Sequence, residues 1–169
     1  FCPLVFFSQG YQVNLQGQVQ QGMGGAGTAL VQDGAILFYN PGGVSFLKKN
    51  TINVGVSPTI PKGVFLDKNT NQTFETTSPV SFPFAAYVAY GLTDTSKLKF
   101  GLGVYTPFGS TVDWENGWAG RFALTHLQLQ AIFIQPTISY KISEKIGIGA
   151  GLVYANGKVN LQKDQNKFD

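Results

Sequence analysis

The chain has 169 residues, a formal net charge of +3, and only 12% charged residues against 14% aromatics and 21 glycines. Soluble domains carry about 25% charged residues, and mixed charge keeps a water-facing surface in solution, so little of this surface is built for water. The scattered lysines exclude the basic stripe of a nucleic-acid binder, and the single cysteine, Cys2, excludes a disulfide framework or a cysteine-based metal site. No run approaches the ~18 consecutive apolar residues of a membrane helix. These exclusions leave a transmembrane β-barrel, whose lipid face takes only every second residue.

Residues 1–9 read as the tail of a secretory signal's apolar region, with cleavage near Ser8 or Gln9; a short buried strand is the other reading. Residues 10–48 are expected to be a hatch, a compact plug inside the barrel. They begin with a weakly alternating piece (Tyr11, Val13 and Leu15 against Gln12, Asn14 and Gln16) and continue through a glycine run at 22–27. Gly22, Gly24 and Gly27 match G-x-G-x-x-G, but a dinucleotide site needs a buried strand before it and an acid about twenty residues on. Glutamines precede it and position 47 is Leu47, so close packing in a confined space explains the glycines better. Residues 28–39 are compatible with a short helix broken by Gly34 and ended by Asn40 and Pro41.

From residue 50 the period becomes two. Ile52, Val54, Val56, Pro58 and Ile60 form one face of a first strand. A polar loop at 62–78 leads to a second, with Val80, Phe82, Phe84, Ala86, Val88, Tyr90 and Leu92 on one face. After a short turn at 93–96, Leu98, Phe100, Leu102 and Val104 mark a third strand, followed by an aromatic-rich loop over 107–126. The fourth strand carries Leu127, Leu129, Ala131 and Phe133 on one face and then Pro136, Ile138, Tyr140 and Ile142. That change of phase predicts a bulge near Gln135 and Pro136. A second short turn, 143–145, leads to a fifth strand with Ile146, Ile148, Ala150, Leu152 and Tyr154 on one face, and residues 158–169 end in a polar stretch without a closing strand.

Strands of about ten residues suffice to cross a bilayer when tilted, and alternating long and short connections are the habit of outer-membrane barrels. The fold expected is therefore all-β: about five strands of an antiparallel transmembrane barrel over residues 50–169, with the hatch inside. Pro83 and Pro136 count against simple central strands, because proline cannot donate to the ladder, and each requires a local irregularity. The chain reads as incomplete at both ends. A soluble lipocalin-like lipid binder and a barrel serving as adhesin or structural protein are the alternatives.

The lead-in at 10–15, the glycine run and the Asn40-Pro41 turn resemble the hatch of the outer-membrane long-chain fatty-acid transporter family (FadL/TodX/OmpP1-like channels). The stretches 107–109, 118–121, 136–140 and 146–151 resemble that family's first long aromatic loop and the strands after it. The resemblance covers about residue 9 to the end of the chain; a departure is Gly42, where many relatives carry alanine after the proline. It implies a fourteen-stranded plugged barrel that takes up long-chain fatty acids or aromatic hydrocarbons by passive diffusion. The resemblance also implies release sideways through the wall at a kinked third strand, with Gly101 and Gly103 as the residues expected to permit the kink.

An acyl chain needs an apolar groove with one or two polar groups for its head. Phe108, Trp114, Trp118 and Phe122 are the candidate outer-loop contacts, with Arg121 as carboxylate partner; an interfacial aromatic girdle with Arg121 tied to Asp113 or Glu115 is the other reading. Tyr11, Met23, Leu37, Phe38, Tyr39, Asn40 and Pro41 are the candidate lumen-lining or gating residues, with simple packing against the wall as the alternative. No catalytic residue, cofactor or metal is expected: His126 is the lone histidine and sits where an interfacial histidine is ordinary. The partners expected are a hydrophobic small molecule and outer-membrane lipid, with no nucleic acid and a monomeric channel.

Overall fold

The computed structural model describes residues 16–165. The expectations for the signal tail at 1–9 and for Tyr11 lie outside those residues. Eight strands follow four short helical turns: α1 (Gln18–Gly22), a 3-10 turn at Ala26–Ala29, α2 (Ile36–Tyr39) and a 3-10 turn at Pro41–Phe46. The strands are β1 (Thr51–Val56), β2 (Val64–Asp67), β3 (Gln72–Glu75), β4 (Phe84–Tyr90), β5 (Leu98–Asp113), β6 (His126–Lys141), β7 (Gly147–Gly151) and β8 (Tyr154–Gln162). Among the described residues no helix is long and apolar enough to cross a membrane, which says nothing of a barrel.

One antiparallel sheet runs β1-β4-β5-β6, and β6 pairs on its far side with β7 and then β8. β7 and β8 keep a single register on β6, from Lys141↔Gly147 through Thr137↔Gly151 to Ile134↔Tyr154 and His126↔Gln162. They are one strand interrupted opposite Pro136. Proline has no N–H to give across, and only its carbonyl is used, by the Leu152 amide at 3.1 Å. The stretch at residues 158–162, expected to lie outside the sheet, therefore belongs to β8.

Two other expectations are corrected. The fourth strand has no bulge at Gln135 and Pro136: β6 stays in register there, and the one shift in the β5–β6 ladder falls between Tyr105 and Phe108 of β5. The apolar residues of β6 change parity because the surroundings of each face change along the strand, and the backbone does not slip. The polar loop at 62–78 contains a separate hairpin, β2–β3. Its turn is closed by Asp67, whose carboxylate accepts from the Asn69 amide and the Thr70 hydroxyl, with Asn71 in the left-handed region that asparagine tolerates. Pro83 stands just before β4, giving its carbonyl to the Ser57 amide at 2.9 Å.

The core lies between the sheet and the N-terminal segment: Ala35, Ile36, Leu37 and Val44 of the segment pack on Ala85, Tyr87, Ala89 and Tyr105 of the sheet. The alternation in the sheet is inverted relative to a water-soluble protein. The face against the segment holds Lys99 at 2% exposure and Ser139 at 1%, while Ile52 and Val54 on the other face are each 76% exposed. Phe100, Leu102, Ile138 and Ile148 continue that outward apolar row. A one-sided antiparallel sheet in water puts its apolar row inward and its polar row outward.

Candidate functional site

The seat of the N-terminal segment is built from strand side chains that reach its backbone. The Ser139 hydroxyl accepts from the Ser45 amide at 3.1 Å and donates to the Gly42 carbonyl at 3.0 Å, which also receives the Ser45 hydroxyl at 2.8 Å. Gln135 Nε2 donates to the Leu37 carbonyl at 3.2 Å, Asn53 Oδ1 accepts from the Gly34 amide at 2.8 Å, and Lys99 Nζ donates to the Leu47 carbonyl. Short non-regular segments leave amides and carbonyls without ladder partners, and buried ones must be satisfied. That is why the inner face of the strands carries serine, glutamine, asparagine and lysine here.

Close approach is the second requirement. A Cβ on Gly149 would lie 2.5 Å from the Pro41 carbonyl carbon, and one on Gly147 would lie 2.9 Å from the Gly42 oxygen. Gly101 and Gly103 serve the same end, since Leu37 sits 3.2 and 3.0 Å from where their side chains would begin. The ladder runs in register through both glycines, and the irregularity of this strand lies four residues beyond Gly101, from Tyr105 onward.

Toward the long loops the inner face turns aromatic. Phe38 meets Tyr39 edge-on at 4.9 Å and Tyr105 at 5.1 Å; Tyr105 meets Phe133 at 5.8 Å, and Phe133 meets Phe108 at 6.3 Å. Tyr87 flanks Tyr105 at 5.9 Å. The hydroxyls of this row are tied inward: Tyr105 donates to Gln135 Oε1 at 2.6 Å, Tyr87 to Gln16 Oε1 at 2.8 Å and Tyr39 to the Gln16 carbonyl at 2.8 Å. Burial, and after it the Asp33 carboxylate, raises the Tyr39 phenol above its ordinary value, so it remains a neutral donor.

The row ends at a gap in the sheet. Thr106 Oγ1 exchanges two bonds with Phe84, accepting from its amide at 2.8 Å and donating to its carbonyl at 3.1 Å. Among the described residues the next bonds between these segments are at Asp113, whose amide donates to Ser78 Oγ and whose carbonyl accepts from the Thr77 amide. Between them, residues 79–83 and 107–112 part around a cavity of about 490 Å³ lined by Phe82, Pro83, Phe108, Gly109 and Ile132 among others, none of them charged. The extra residue in β5 at Thr106 and Pro107 lies at the inner end of this gap, and a bulge bends the strand that bears it.

The predicted loop residues divide between two places. Phe108 belongs to the interior row. Trp114 and Trp118 stack with centroids 4.2 Å apart and planes at 11°, and Phe65 of the β2–β3 hairpin meets Trp118 edge-on at 5.8 Å. Trp118 Nε1 donates to the Leu124 carbonyl at 2.7 Å; Gly120 is needed beneath its ring, where a Cβ would come within 2.2 Å. Arg121 lies over the Phe122 ring at 4.5 Å and reaches Asp164 at 3.7 Å. The expected alternatives for Arg121 have other partners: Asp113 pairs with His126, and Glu115 accepts from the Glu75 amide.

Of the predicted hatch residues, Phe38 and Tyr39 enter the interior row. Met23 accepts from Gln32 Nε2 at an exposed position, and Asn40 Nδ2 donates to the Thr28 carbonyl at 3.3 Å, bracing one part of the segment against another. Pro41 starts the turn that presses on Gly149. The residues missed from sequence are Tyr87, Tyr105 and Phe133 of the row and Gln135, Ser139 and Lys99 of the seat. For Tyr87, Tyr105 and Lys99 the signal was present as isolated polar or aromatic residues on the small-residue face of their strands, whereas Phe133 stood in an apolar row.

Comparison with known proteins adds two findings. The profile of a family described as outer membrane protein transport protein (OMPP1/FadL/TodX) matches residues 4–168. A protein of Neisseria meningitidis serogroup B named as an outer membrane protein is 28% identical over 125 residues, covering 68% of this chain and 26% of the relative. The chain thus spans about a quarter of that relative's length.

Proposed function

The chain belongs to the outer membrane protein transport family (OMPP1/FadL/TodX) and to the bacterial outer membrane, and on that premise we propose that it takes up long-chain fatty acids or other hydrophobic compounds by passive diffusion between binding sites, with lateral release. In this reading the sheet is one part of a barrel wall, the apolar row faces lipid, and residues 16–48 are the described part of its plug. β5 and β6, at 16 residues each, exceed what a tilted strand needs to cross a hydrocarbon core of about 30 Å.

The observation that carries the proposal is the uncharged cavity in the wall, reached from inside by a continuous row of aromatic rings. A hydrophobic solute loses little by moving along rings that already exclude water, and a gap in the wall delivers it to the bilayer without crossing a polar layer. The Trp114, Trp118 and Phe65 cluster is the outer docking surface, with Arg121 beside it for an anionic head. No chemical step is required of any residue.

Cells expressing the full-length gene are to be tested for uptake of labelled oleate, an alkane and a simple aromatic hydrocarbon, beside cells whose gene lacks residues 10–48. Accumulation of at least one of the three by the intact channel, with indiscriminate leakage of small solutes from the deleted form, is the expected result. Failure to take up any of the three sinks the transport reading.

A further inference from the structure

The seat and the aromatic row share one side chain. Gln135 of β6 stands opposite Gly103 of β5, and a Cβ on Gly151 of β7 would lie 3.0 Å from its Nε2. Glycines on both neighbouring strands thus leave its amide room to reach inward. The side chain is buried, at 5% exposure, and both its polar atoms are used. Nε2 donates to the Leu37 carbonyl at 3.2 Å, and Oε1 accepts from the Tyr105 hydroxyl at 2.6 Å. A carbonyl only accepts, so the Leu37 oxygen fixes which end of the amide faces the plug and makes the Tyr105 phenol the donor to the other end. Tyr105 is also the last residue in register before the shift in β5, and the next residue, Thr106, makes the two bonds to Phe84 at the inner end of the gap. Its ring meets Phe38 of the plug at 5.1 Å, and Phe38 directly follows Leu37. The plug therefore reaches Tyr105 by two paths, ring to ring through Phe38 and through the Gln135 amide from Leu37.

We propose that Gln135 is a positioning residue that couples the seating of the plug to the aromatic row. While Tyr105 donates to Oε1, the amide is held with its N–H on the Leu37 carbonyl. When a hydrophobic solute displaces the Tyr105 ring, Oε1 loses its donor, the amide is free to rotate, and the hold on Leu37 is lost. The linkage is reciprocal: freeing Leu37 releases Tyr105 in turn. A solute lodged at Tyr105 and a seated plug then oppose each other through one amide. The solute's part rests on the transport reading, whereas the relay from Tyr105 to Leu37 stands on the two bonds alone.

The test is hydrogen exchange on the full-length protein in detergent, read at the Phe38 and Asn40 amides, which close the turn around Leu37 by donating to the Ala35 and Ile36 carbonyls. Tyr105→Phe keeps the ring that Phe38 packs on and removes only the hydroxyl. Gln135→Met keeps the length of the side chain and removes both bonds. Each should accelerate exchange at these amides roughly three- to tenfold, the worth of one hydrogen bond, and the double variant should go no faster than Gln135→Met alone. The Ser45 amide, held by Ser139, should keep the parent rate in all three. Parent exchange in Tyr105→Phe, additive effects, or equal acceleration at Ser45 overturns the proposal. Saturating p-xylene, used also as the aromatic hydrocarbon for uptake, should accelerate the same amides in the parent and not in Gln135→Met. Uptake of p-xylene by a parent whose amides ignore it overturns the solute's part in the coupling and leaves the transport reading standing. Failure of every uptake with the variant pattern intact rejects the transport reading and leaves the relay.

Discussion

The two ends of the inner face differ in what they are made to touch. Near the short turns it is small and polar, glycines alternate with serine, glutamine and lysine, and the plug backbone lies directly on it. Near the long loops the same face of the same strands is aromatic, and beyond Thr106 the wall parts around a cavity. Peptide groups outside regular structure demand hydrogen-bond partners, so the seat is polar. The aromatic end has no such groups to satisfy, and in the proposed reading its rings line the way taken by a hydrophobic solute. The difference teaches that side-chain chemistry on this face follows its local neighbour rather than a uniform lumen rule.

The sharpest way to break this comparison is to close the route while leaving the seat alone. A Cβ on Gly109 would lie 3.8 Å from the Pro83 Cβ, the usual Cβ separation of a disulfide. Pro83→Cys with Gly109→Cys should therefore staple the gap, lowering uptake of a hydrophobic solute about tenfold, equivalent to ~1.4 kcal/mol on the transit barrier. Dithiothreitol should restore it. Full uptake by the oxidised protein would show that solute leaves by another way.

Glycine substitution separates the ends next. Gly149→Ala drives a methyl into the Pro41 backbone, whereas at Gly157, also on the inner face, the nearest atom is an ordinary 3.4 Å away. Overpacking of the first kind costs about 1–3 kcal/mol. Gly149→Ala should raise ion conductance in planar bilayers and lower the melting temperature, with Gly157→Ala near the parent on both. Equal behaviour of the two variants would contradict a seated plug.

Ser139→Ala removes the hydroxyl shared by the Ser45 amide and Gly42 carbonyl. The Gly42 carbonyl keeps the Ser45 hydroxyl, but leaving the buried Ser45 amide unsatisfied costs about 1–3 kcal/mol, so hydrogen exchange at that amide should accelerate while the aromatic row is undisturbed. An amide as protected as in the parent rules out Ser139 as an anchor. The smallest effect is expected for Asn40→Ala, which loses a 3.3 Å bond to the Thr28 carbonyl at an exposed position, about 0.5–1 kcal/mol. A slight rise in small-solute leakage is the outcome; unchanged conductance and uptake would remove Asn40 from the plug's support.

The alternation of β1, β4, β5 and β6 was legible because each strand has one apolar row, and that row is visible whichever way it faces. What it faces was legible only through the scarcity of charge. The β2–β3 hairpin was hidden because Val64, Phe65 and Leu66 are consecutive rather than alternating, and Gln72, Thr73 and Glu75 read as loop. The irregularity assigned to β6 belongs to β5: Leu129, Ala131 and Phe133 share a face with Gln135, Thr137 and Ser139, and sequence shows the change of chemistry without showing that the plug causes it. Tyr105 and Phe133 are far apart in the chain and meet only through the β5–β6 register, which depends on a bulge that local sequence does not announce. The loop tryptophans were found as a pair, but their division from Phe108 follows from β5 continuing to Asp113.

The seat grips carbonyls and amides of the plug at Gly34, Leu37, Gly42, Ser45 and Leu47, and these are groups every residue but proline possesses in full. Anchorage and chemical preference are thereby assigned to different atoms of the same short segment. Phe38 and Tyr39 can be exchanged for other side chains without touching a single one of those anchoring bonds. If the proposed transport holds, the molecules favoured can change through residues that hold nothing in place.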